Sequence, residues 1–310
     1  MSTILLVDDD VDLAELIQTR LSSNGHDVQI THTGEGAFEL AKQVKPHIAI
    51  LDVMLPGVTG YQVCRRIRKD PELYRIGILV LTALGEEPEM VHGLEQGADD
   101  YLAKPFKLET LHEKIASTEE LLRAINTRNP ITQLPGTEAI KREIDFRLAR
   151  GSAIAVCYVD IVGFKPYCAA HGREAQKKVL TFMSQLLINT ARKLAIYEYF
   201  VAHLGGEHFV VLLNLDDYER YCNTLMKDFD QQSREFHSAA EREKGYVIAK
   251  DKRGTQGRFP LMALSIGVAH TQYRNHRNAN KMFEVLAQTR QMAKPQGQSV
   301  MFVDRRRAER

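Results

Sequence analysis

Short apolar runs alternate with amphipathic stretches along residues 1–107. The apolar runs predict strands at Thr3–Val7, Val28–Thr31, Ile48–Leu51, Ile78–Leu81 and Tyr101–Ala103. Apolar positions at helical spacing between them predict helices at Asp12–Ser22, Glu35–Val44, Gly60–Arg68 and Glu87–Gln96. Short strands that are apolar throughout are typical of a parallel sheet covered by helices on both faces. We therefore expect an α/β domain over residues 1–107, with its chemistry beyond the carboxyl ends of the strands.

A long polar helix is predicted after this domain, over residues 107–127. Its apolar positions lie three and four residues apart, which is the spacing of a heptad seam. The seam consists of Leu108, Leu111, Ile115, Leu122 and Ile125, with Thr118 as its one weak member. A final helix packed on the sheet of the first domain would account for the early positions but not for the later ones. We therefore predict a stalk over residues 108–128 that continues beyond the first domain and pairs with a second copy of the chain.

The segment NPITQLPG (129–136) interrupts this helix and opens a second pattern of helices and strands. Helices are predicted at Glu138–Ala149, Arg173–Leu194, Tyr218–Arg242 and Lys281–Ala293. Strands are predicted at Ala153–Val159, Tyr199–His203, Phe209–Leu213, Tyr246–Lys250 and Phe259–Ala269. A Gly-Gly turn and a DKRG turn between neighbouring strands indicate hairpins. We expect a second domain over residues 129–305 and a basic tail at 306–310.

Composition and charge narrow the class of protein. The 310 residues are enough for about two domains of roughly 150 residues each. A net charge of +1 gives no reason to expect nucleic acid, and the arginine run at 305–307 is interpreted as a solvated tail. The apolar runs are too short for membrane insertion, and the first residues lack the basic region of a signal peptide. Four widely spaced cysteines indicate reduced thiols in the cytoplasm rather than a disulfide framework.

Five polar residues follow the predicted strands of the first domain at the same edge of the sheet. Asp8 and Asp9 follow the first strand, Asp52 the third, Thr82 the fourth and Lys104 the fifth. Three carboxylates in one crevice repel one another, so either one takes up a proton or a cation neutralises them. Oxygen ligands with open positions suit Mg²⁺, and a lysine with a hydroxyl suits phosphoryl oxygens. Each residue alone could be a helix cap or part of a structural ion pair, but their joint placement favours a phosphoryl site.

The motifs around these residues resemble the receiver domain of two-component response regulators. They are ILLVDDD (4–10), LDVMLPG (51–57), LTA (81–83) and DYLAKPF (100–106). The resemblance covers about residues 1–120 and implies a flavodoxin-like (βα)5 fold with strand order 2-1-3-4-5. It implies that Asp52 accepts a phosphoryl group from a sensor histidine kinase or a phosphotransfer protein. Asp9 and Asp52 would hold Mg²⁺ with the Met54 carbonyl, and Asp8 would act partly through water.

The same resemblance assigns the phosphoryl-binding and switch positions. Thr82 and Lys104 would bind the phosphoryl oxygens, and Tyr101 would be the switch aromatic that turns inward when Thr82 moves. Every position of this motif set is present in the chain. We therefore predict a receiver that is competent for phosphorylation.

Two motifs in the second half of the chain place carboxylates beside glycines. VDIVGFK (159–165) ends a predicted strand and contains Asp160, whereas LGGEHF (204–209) forms a hairpin turn and contains Glu207. Glycines let the backbone turn tightly and approach a phosphate closely. Two carboxylates sharing a cation there would form a metal–triphosphate site. On spacing alone, a plain hairpin with an exposed glutamate and an aspartate cap is an equally good interpretation.

The order of the motifs resembles that of GGDEF-type diguanylate cyclases. NPITQLPG, VDIVGFK, GGEHF, LSIGVA (264–269) and AKPQG (293–297) occur in that order. The resemblance covers about residues 128–304 and implies an α+β, nucleotide-cyclase-like domain. In that family a dimer brings two GTP molecules together and forms cyclic di-GMP with Mg²⁺. The signature falls on Gly205, Gly206, Glu207, His208 and Phe209.

The metal and phosphate positions of this family carry over to the chain. Asp160 and Glu207 match the metal-binding carboxylates, and the Ile161 carbonyl would assist them. Lys165 and Lys294 match positions expected near the phosphates. The resemblance therefore implies a vestigial metal and phosphate site in the second domain.

The positions that read guanine do not carry over. They fall on Cys168 and Ala169, and neither side chain supplies the carboxylate or amide that guanine needs. His208 replaces an acidic position of the signature by a group that is neutral or cationic near pH 7. The sequence thus gives weak support for GTP or Mg²⁺ in this domain, and we interpret it as a degenerate GGDEF domain.

These interpretations lead to one main hypothesis and two alternatives. Phosphorylation of Asp52 in a cytoplasmic response regulator would change the stalk and the geometry of a homodimer. The degenerate GGDEF domain would act as a non-catalytic binding or dimerisation module for a downstream protein that the sequence does not identify. An active diguanylate cyclase with unusual GTP recognition and a nucleotide sensor without turnover remain as alternatives.

Overall fold

The chain forms two compact units. The structure, a computed structural model, describes residues 1–83, 96–250, 255–274, 276–292 and 298–306. The first unit comprises Met1–Asn126 with Asp145–Gly151, and the second comprises Thr127–Ile144 with Ser152–Arg310. The first unit therefore contains almost all of the segment 108–128, which is predicted as a stalk that continues the last helix of the first domain.

A five-stranded parallel sheet forms the centre of the first unit. Its strands are β1 (Thr3–Val7), β2 (Asp27–Thr31), β3 (Ile48–Asp52), β4 (Gly77–Ala83) and β5 (Asp100–Lys104). Its helices among the described residues are α1 (Val11–Ser23), α2 (Gly34–Val44), α3 (Gly60–Lys69) and α4 (Leu108–Asn126). The strand order is β2-β1-β3-β4-β5 with every neighbouring pair parallel, which confirms the predicted flavodoxin-like fold. Most of the predicted helix Glu87–Gln96 lies outside the described residues.

Alternate residues of β1, β3 and β4 enter two apolar cores, one on each face of this sheet. On β1, Leu5 and Val7 belong to the core that α2 and α3 cover. Ile4 and Leu6 belong to the other core, which α1 and α4 cover. Because both faces are buried, the strand needs apolar side chains at successive positions, and this requirement explains the continuous apolar runs of the sequence.

The apolar seam of α4 is buried within the first unit. Leu111, Ile115 and Thr118 are buried, and Leu122 packs against the same core. Thr118 lies so close to β4 that a Cβ at Gly77 would come within 2.3 Å of its methyl carbon. The prediction of a stalk whose seam pairs with a second copy is therefore wrong for these positions. The alternative of a final helix packed on its own sheet explains them, because the glycine lets the helix approach the sheet closely.

The second unit is built on a five-stranded mixed sheet and a separate hairpin. The strands after residue 127 are β6 (Ile154–Val162), β7 (Phe200–Gly205), β8 (His208–Asn214), β9 (Tyr246–Lys250), β10 (Gln256–Pro260), β11 (Ala263–His270) and β12 (Val300–Val303). The helices are α5 (Thr137–Ala149), α6 (Phe164–Lys193), α7 (Tyr218–Gln232), a 3₁₀ helix (Ser233–Phe236), α8 (Ala239–Lys244) and α9 (Ala279–Met292). The sheet order is β12-β11-β6-β8-β7, and β6 is antiparallel to both of its neighbours. The predicted α+β class is confirmed.

The predicted helix Tyr218–Arg242 is divided into α7, a 3₁₀ helix and α8. α7 ends at Gln232, and α8 begins after Ser238. The Ser238 hydroxyl accepts the Glu241 N–H, while the Glu241 carboxylate accepts the Ser238 N–H. This capping box satisfies two amides at the start of a helix and so favours a new helix at this point.

Two other predicted elements have different bounds in the structure. The predicted strand Phe259–Ala269 is divided, because β10 pairs with β9 in the hairpin whereas β11 pairs with β6 in the main sheet. The predicted helix Arg173–Leu194 corresponds to the second part of α6, which spans Phe164–Lys193 as a whole. Gly172 interrupts it with a φ of 81°, a left-handed value that glycine adopts most readily.

The first residue of the predicted basic tail is bound to the second unit. Arg306, predicted to begin a solvated tail, donates hydrogen bonds from Nε to Asp304 Oδ1 at 2.6 Å and from Nη1 to Gln288 Oε1 at 2.7 Å. This first residue of the tail is therefore bound to the second unit, while residues 307–310 lie outside the described residues. Among the helices that the structure describes, we find none with the length and apolar character needed to cross a membrane.

Candidate functional site

The carboxyl ends of β1 and β3 place aspartates side by side in the first unit. Val7 at the end of β1 pairs with Leu51, so Asp8 and Asp52 follow at the same level. Asp8 is 0% exposed and Asp52 is 4% exposed, whereas Asp9 lies exposed at the rim. One carboxylate oxygen from each of the three lies within 4.8 Å of the others. The structure thus brings together the three predicted carboxylates.

The start of α3 supports the backbone beside Asp52. A Cβ at Gly60 would lie 2.1 Å from the Asp52 carbonyl oxygen, so only glycine fits at this position. The Gly60 N–H also donates to the Val53 carbonyl at 3.2 Å. Thr59 precedes it as the cap of α3 and forms a capping box with Gln62. The helix therefore begins in direct contact with the loop that follows Asp52.

Lys104 at the end of β5 joins two of the aspartates. Its Nζ lies 2.7 Å from Asp8 Oδ2 and 3.3 Å from Asp52 Oδ2. Burial alone would lower the pKa of Lys104, but the two carboxylates outweigh burial and raise it above its ordinary value. The ammonium is therefore charged at neutral pH. The other Asp8 oxygen accepts the Asp10 backbone N–H at 3.1 Å.

Burial raises the pKa of the Asp52 carboxyl above its ordinary value. Lys104 acts in the opposite direction, and the charge of Asp8 acts in the same direction as burial. Hydrogen bonds from Lys104 and from the Met54 backbone N–H favour the charged form without cancelling the effect of burial. Asp52 is therefore a poorly hydrated carboxylate with a cation close to one oxygen.

The other predicted receiver positions are Met54, Thr82 and Tyr101. The Met54 side chain is 70% exposed. The buried Thr82 hydroxyl donates to the Ala83 carbonyl at 3.1 Å, along its own strand and not toward Asp52. Tyr101 is half-buried, and Lys114 Nζ lies 5.5 Å from the centre of its ring.

The donors of the first-unit cluster fit Mg²⁺. Three carboxylates face one ammonium, so the cluster carries more negative than positive charge. Carboxylate oxygens are ligands that Mg²⁺ prefers, and Mg²⁺ retains several waters when few protein ligands bind it. The exposed position of Asp9 leaves room for such waters and for a phosphate oxygen. We therefore regard Asp8, Asp9 and Asp52 as suited to hold the ion.

Sequence analysis missed a buried arginine that organises the same unit. Arg68 is 6% exposed, and its guanidinium donates to the carbonyls of Tyr74, Ile76 and Gly97 at 2.9, 2.8 and 2.6 Å. It also donates to Asp99 Oδ2 at 2.8 Å. Arg68 therefore ties the loop after α3 to the segment before β5. It is one of several basic residues at the end of α3, and its position four residues after Cys64, on the buried face of the helix, is the signal that could have found it.

In the second unit, the turn between β7 and β8 brings a glutamate to β6. Gly205 and Gly206 have φ values of 111° and 56°, which glycine adopts at the least cost. Glu207 follows, and its carbonyl accepts the Ile161 N–H at 3.2 Å. Because Ile161 is next to Asp160 on β6, this hydrogen bond sets Glu207 beside Asp160. The structure therefore brings the two predicted carboxylates of the second domain together.

Protein nitrogens face both of these carboxylates. Arg290 Nε and Nη2 lie 3.1 and 3.0 Å from Asp160 Oδ2. His208 Nδ1 lies 3.1 Å from the other oxygen, Oδ1, at an angle outside hydrogen-bond geometry. Lys165 Nζ lies 2.6 Å from Glu207 Oε1. Burial of Glu207 works in the opposite direction, but the Lys165 hydrogen bond and nearby charges hold its pKa below the ordinary value.

A glycine on β11 allows α9 to carry Arg290 to this place. Gly267 pairs with Tyr158 of β6, and a Cβ there would lie 2.7 Å from Thr289 Oγ1 and 3.1 Å from the Arg290 backbone nitrogen. The helix therefore packs very close to the sheet. The Arg290 guanidinium also lies over the Tyr158 ring, 5.2 Å from its centre. Sequence analysis missed Arg290 because its partner Asp160 is 130 positions away along the chain.

The two residues expected at guanine-reading positions lie early in α6. Cys168 is half-buried and Ala169 is exposed. Burial, reinforced by the charge of Glu207, raises the pKa of the Cys168 thiol to about 11. A neutral thiol and a methyl group offer no carboxylate or amide. Lys294, predicted near the phosphates, lies outside the described residues.

Phe209, the last residue of the signature, lies in the core beneath the Gly-Gly turn. It is fully buried, and its ring stacks on that of His203 at a centroid distance of 4.3 Å. His203 Nε2 lies 3.0 Å from the Gly206 carbonyl oxygen, and Nδ1 lies 3.1 Å from the Thr132 hydroxyl. The carbonyl can only accept, so we assign the proton to Nε2. Phe209 and His203 therefore hold the Gly-Gly turn against the sheet.

Two family models match the chain in the order of its two units. The response regulator receiver domain matches residues 4–116, and the diguanylate cyclase GGDEF domain matches residues 127–300. The first unit is thus a receiver domain of the response-regulator class. The second match covers more than half of the chain, and the chain belongs to the GGDEF family, with a receiver domain preceding the GGDEF domain.

Curated relatives share about half of their length with this chain. "DNA-binding dual master transcriptional regulator RpaA" of Synechocystis sp. is 42% identical over 123 residues, which are 40% of this chain and 50% of that protein. "Probable transcriptional regulator ycf27" of Cyanophora paradoxa is 39% identical over 143 residues, which are 46% of this chain and 56% of that protein. The chain therefore spans about half the length of the curated relatives it matches.

Solved receiver structures are also similar to part of this chain. A putative response regulator from Chloroflexus aurantiacus is 38% identical, with a TM-score of 0.37, over 38% of this chain and 96% of that chain. The BeF3-activated receiver domain of Klebsiella pneumoniae RstA is 32% identical, with a TM-score of 0.36, over 39% of this chain and 98% of that chain.

Proposed function

We propose that the chain is a phosphorylation-dependent response regulator in which Asp52 accepts the phosphoryl group and the GGDEF domain is a non-catalytic output. The observation that carries the receiver part is the position of Lys104 between Asp8 and Asp52, beside the exposed Asp9. A poorly hydrated carboxylate with a cation at 3.3 Å and an acidic rim is arranged for attack on phosphorus.

The proposed reaction is a phosphoryl transfer to an Asp52 oxygen. The donor is a phosphohistidine on a sensor histidine kinase or a phosphotransfer protein. A bond forms between the carboxylate oxygen and phosphorus, and the P–N bond breaks and leaves its electron pair on the imidazole. Mg²⁺ held by Asp8, Asp9 and Asp52, with the Met54 carbonyl, would supply positive charge near the transferred oxygens when bound.

The proposed switch connects Thr82 with α4. The Thr82 hydroxyl must leave the Ala83 carbonyl in order to donate to a phosphoryl oxygen. Tyr101 would turn into the space that Thr82 vacates, and its ring would then lose Lys114. Because Lys114 belongs to α4 and pairs with Asp100 of β5 at 2.7 Å, this movement would change the contact between the helix and the sheet.

Incubation of the whole chain with acetyl phosphate and Mg²⁺ tests the receiver part. Mass spectrometry should show one phosphoryl group on the wild type and none on Asp52→Asn. Asp10→Asn is the matched control, because Asp10 is the exposed cap of α1, close to Asp8 and Asp9 in sequence. It should be phosphorylated like the wild type. Uptake by Asp52→Asn at the wild-type rate would show that another residue is the acceptor.

The non-catalytic role of the GGDEF domain is supported by the groups at its carboxylate pair. Cys168 and Ala169 lack the hydrogen-bonding groups that guanine requires. Each missing hydrogen bond costs about 0.5–1.5 kcal/mol of binding free energy. Asp160 faces Arg290 and Glu207 faces Lys165, so the donor set does not fit a divalent cation in its present arrangement.

One assay distinguishes the three proposed roles of this domain. The whole chain is incubated with GTP, Mg²⁺ and beryllofluoride, and cyclic di-GMP formation and nucleotide binding are both measured. We expect neither product nor tight binding. Product at ordinary enzyme rates would support a diguanylate cyclase, whereas binding without product would support a nucleotide sensor.

The proposal includes a homodimer formed through the GGDEF domain and a downstream protein partner. The buried seam of α4 no longer supports pairing through residues 108–128. Sedimentation with and without beryllofluoride should show a change in the monomer–dimer equilibrium. A cytoplasmic location is part of the same proposal. Neither nucleic acid nor a membrane is part of it.

A further inference from the structure

We propose that Arg290 is a resident cation that keeps divalent metal ions away from the carboxylate pair of the GGDEF domain. This inference rests on the proposed non-catalytic role of that domain and gives a structural cause for it. The family to which the chain belongs implies a metal at this position, and the residues of this chain do not fit one. The disagreement is concentrated at Asp160, the aspartate at the end of β6.

Both oxygens of Asp160 already face protein nitrogens. Oδ2 lies 3.0 Å from Arg290 Nη2 and 3.1 Å from Nε, and Oδ1 lies 3.1 Å from His208 Nδ1. A metal ion binds a carboxylate through the same lone pairs, at distances near 2.0–2.6 Å. The guanidinium and a metal ion therefore cannot share Oδ2. Binding of an ion through Oδ2 therefore requires the arginine to leave.

The net charges of the receiver cluster and the GGDEF cluster also differ. In the GGDEF domain, two carboxylates, Asp160 and Glu207, face two cations, Arg290 and Lys165, so the formal charges cancel. In the receiver cluster, three carboxylates face Lys104 alone among the described residues. The receiver cluster thus attracts a divalent cation, whereas the GGDEF cluster is already neutralised by its own side chains.

Arg290 is held in place by contacts other than the ion pair. Its guanidinium lies over the Tyr158 ring, and Nη1 lies 3.4 Å from the Tyr158 hydroxyl. Gly267 admits α9 close to the sheet, so the arginine needs little adjustment to reach Asp160. A guanidinium is always charged in proteins. The site therefore carries a permanent and preorganised positive charge.

Removal of this charge should leave a set of ligands that can bind metal. One ligand atom from each of Asp160, Glu207 and His208 lies within 4.8 Å of the other two. Carboxylates with an imidazole suit Mn²⁺ and other divalent transition metals. Arg290→Met should therefore create a binding site for Mn²⁺ that the wild-type domain lacks.

The test measures Mn²⁺ binding by electron paramagnetic resonance on the whole chain. A background with Asp9→Asn and Asp52→Asn removes two of the receiver carboxylates, so that the receiver does not contribute to the signal. We expect no bound Mn²⁺ at micromolar concentrations in this background. Adding Arg290→Met should produce about one bound Mn²⁺ per chain, with affinity higher by at least about tenfold.

Two controls separate the charge of Arg290 from its packing. Arg290→Lys retains a positive charge and should bind no Mn²⁺ in the same background. Adding Asp160→Asn to Arg290→Met should abolish the gained binding, which places the ion at this carboxylate. If Arg290→Met does not fold, as judged by circular dichroism, Arg290→Gln replaces it in the same comparison.

Three results would overturn the inference. They are stoichiometric Mn²⁺ binding with Arg290 present, no gain in a folded Arg290→Met or Arg290→Gln protein, and a gain that survives Asp160→Asn. The GTP assay tests the proposed function separately from these Mn²⁺ measurements. Formation of cyclic di-GMP by the wild type would contradict the proposed function. If a protein that retains Arg290 binds Mn²⁺ but forms no cyclic di-GMP, only the present inference is contradicted.

Discussion

The Lys104 ammonium lies 2.7 Å from the carboxylate of Asp8, which is wholly buried at the end of the receiver sheet. The same ammonium is the cation close to Asp52. Burying a charged carboxylate without a partner lowers the stability of the fold. Removal of one member of a buried ion pair therefore leaves the other as an unpaired buried charge. The pair therefore has a structural role in addition to its proposed chemical one.

Lys104→Met should destabilise the receiver domain in the absence of divalent ions. The expected loss is about 3 kcal/mol of unfolding free energy, the lower end of the range for a broken buried pair, because the lysine is partly exposed. Hydrogen exchange of the β1 and β3 amides in increasing urea measures this domain separately. Mg²⁺ should restore part of the loss, because it supplies compensating charge.

Lys114→Met is the matched control for that variant. Lys114 pairs with Asp100 at the same distance, 2.7 Å, but both side chains are partly exposed. The expected loss is under about 1 kcal/mol, as for surface ion pairs. Equal losses for the two variants would contradict the structural importance of burial at Asp8.

Gly77→Ala should destabilise the receiver domain through contact with α4. The new Cβ would lie 2.3 Å from Thr118 Cγ2 and 3.4 Å from Ile48 Cγ1. Overpacking of this kind costs about 1–3 kcal/mol of unfolding free energy. Thr118→Ser removes the clashing methyl group, so the double variant should recover most of the loss. Simple addition of the two single losses in this cycle would show that the helix does not pack here.

Arg68→Lys should destabilise the loops around β4 and β5. A lysine ammonium cannot reproduce four hydrogen bonds that leave a planar guanidinium in different directions. We expect a loss of about 2–4 kcal/mol, because buried carbonyls and the Asp99 carboxylate lose donors. Urea unfolding measures it. Arg66→Lys, on the exposed side of the same helix, should change stability by less than about 0.5 kcal/mol.

The stability of the GGDEF domain should fall as pH decreases below 6.5. Burial lowers the pKa of His203, His237, His270 and His276 below their ordinary value of 6.5. The unfolded chain therefore binds protons at a higher pH than the folded chain, and this difference favours unfolding as pH falls from 6.5 toward the folded-state pKa values. Each such histidine contributes a slope of about 1.4 kcal/mol per pH unit within its window.

His276→Gln tests this assignment. Its Nε2 lies 3.3 Å from the His270 carbonyl, and a glutamine amide can donate to the same acceptor without titrating. Pulse proteolysis in urea at pH 7.5 and pH 5.5 should show a smaller pH dependence for the variant. Equal stability of the wild-type domain at the two pH values would contradict neutral burial of these histidines.

The receiver fold and its acidic cluster could be predicted almost completely. Parallel strands buried on both faces must be apolar throughout, so β1 and β3 stand out in the sequence. Their carboxyl ends lie at one edge of the sheet, and this geometry places Asp8 and Asp52 together without any knowledge of side-chain packing. The seam of α4 was assigned to the wrong partner, because periodicity reports that Leu111 and Ile115 are buried and not what buries them.

The amino-acid sequence alone determined the order of the two domains, the strands of the receiver and the residues of its acidic cluster. These depend on local periodicity and on the rule that parallel strands end at a common edge. Only the tertiary structure decided that Arg290 reaches Asp160, since that contact depends on how closely α9 packs at Gly267. Long-range ion pairs have no periodicity, because they arise from the distances between packed elements.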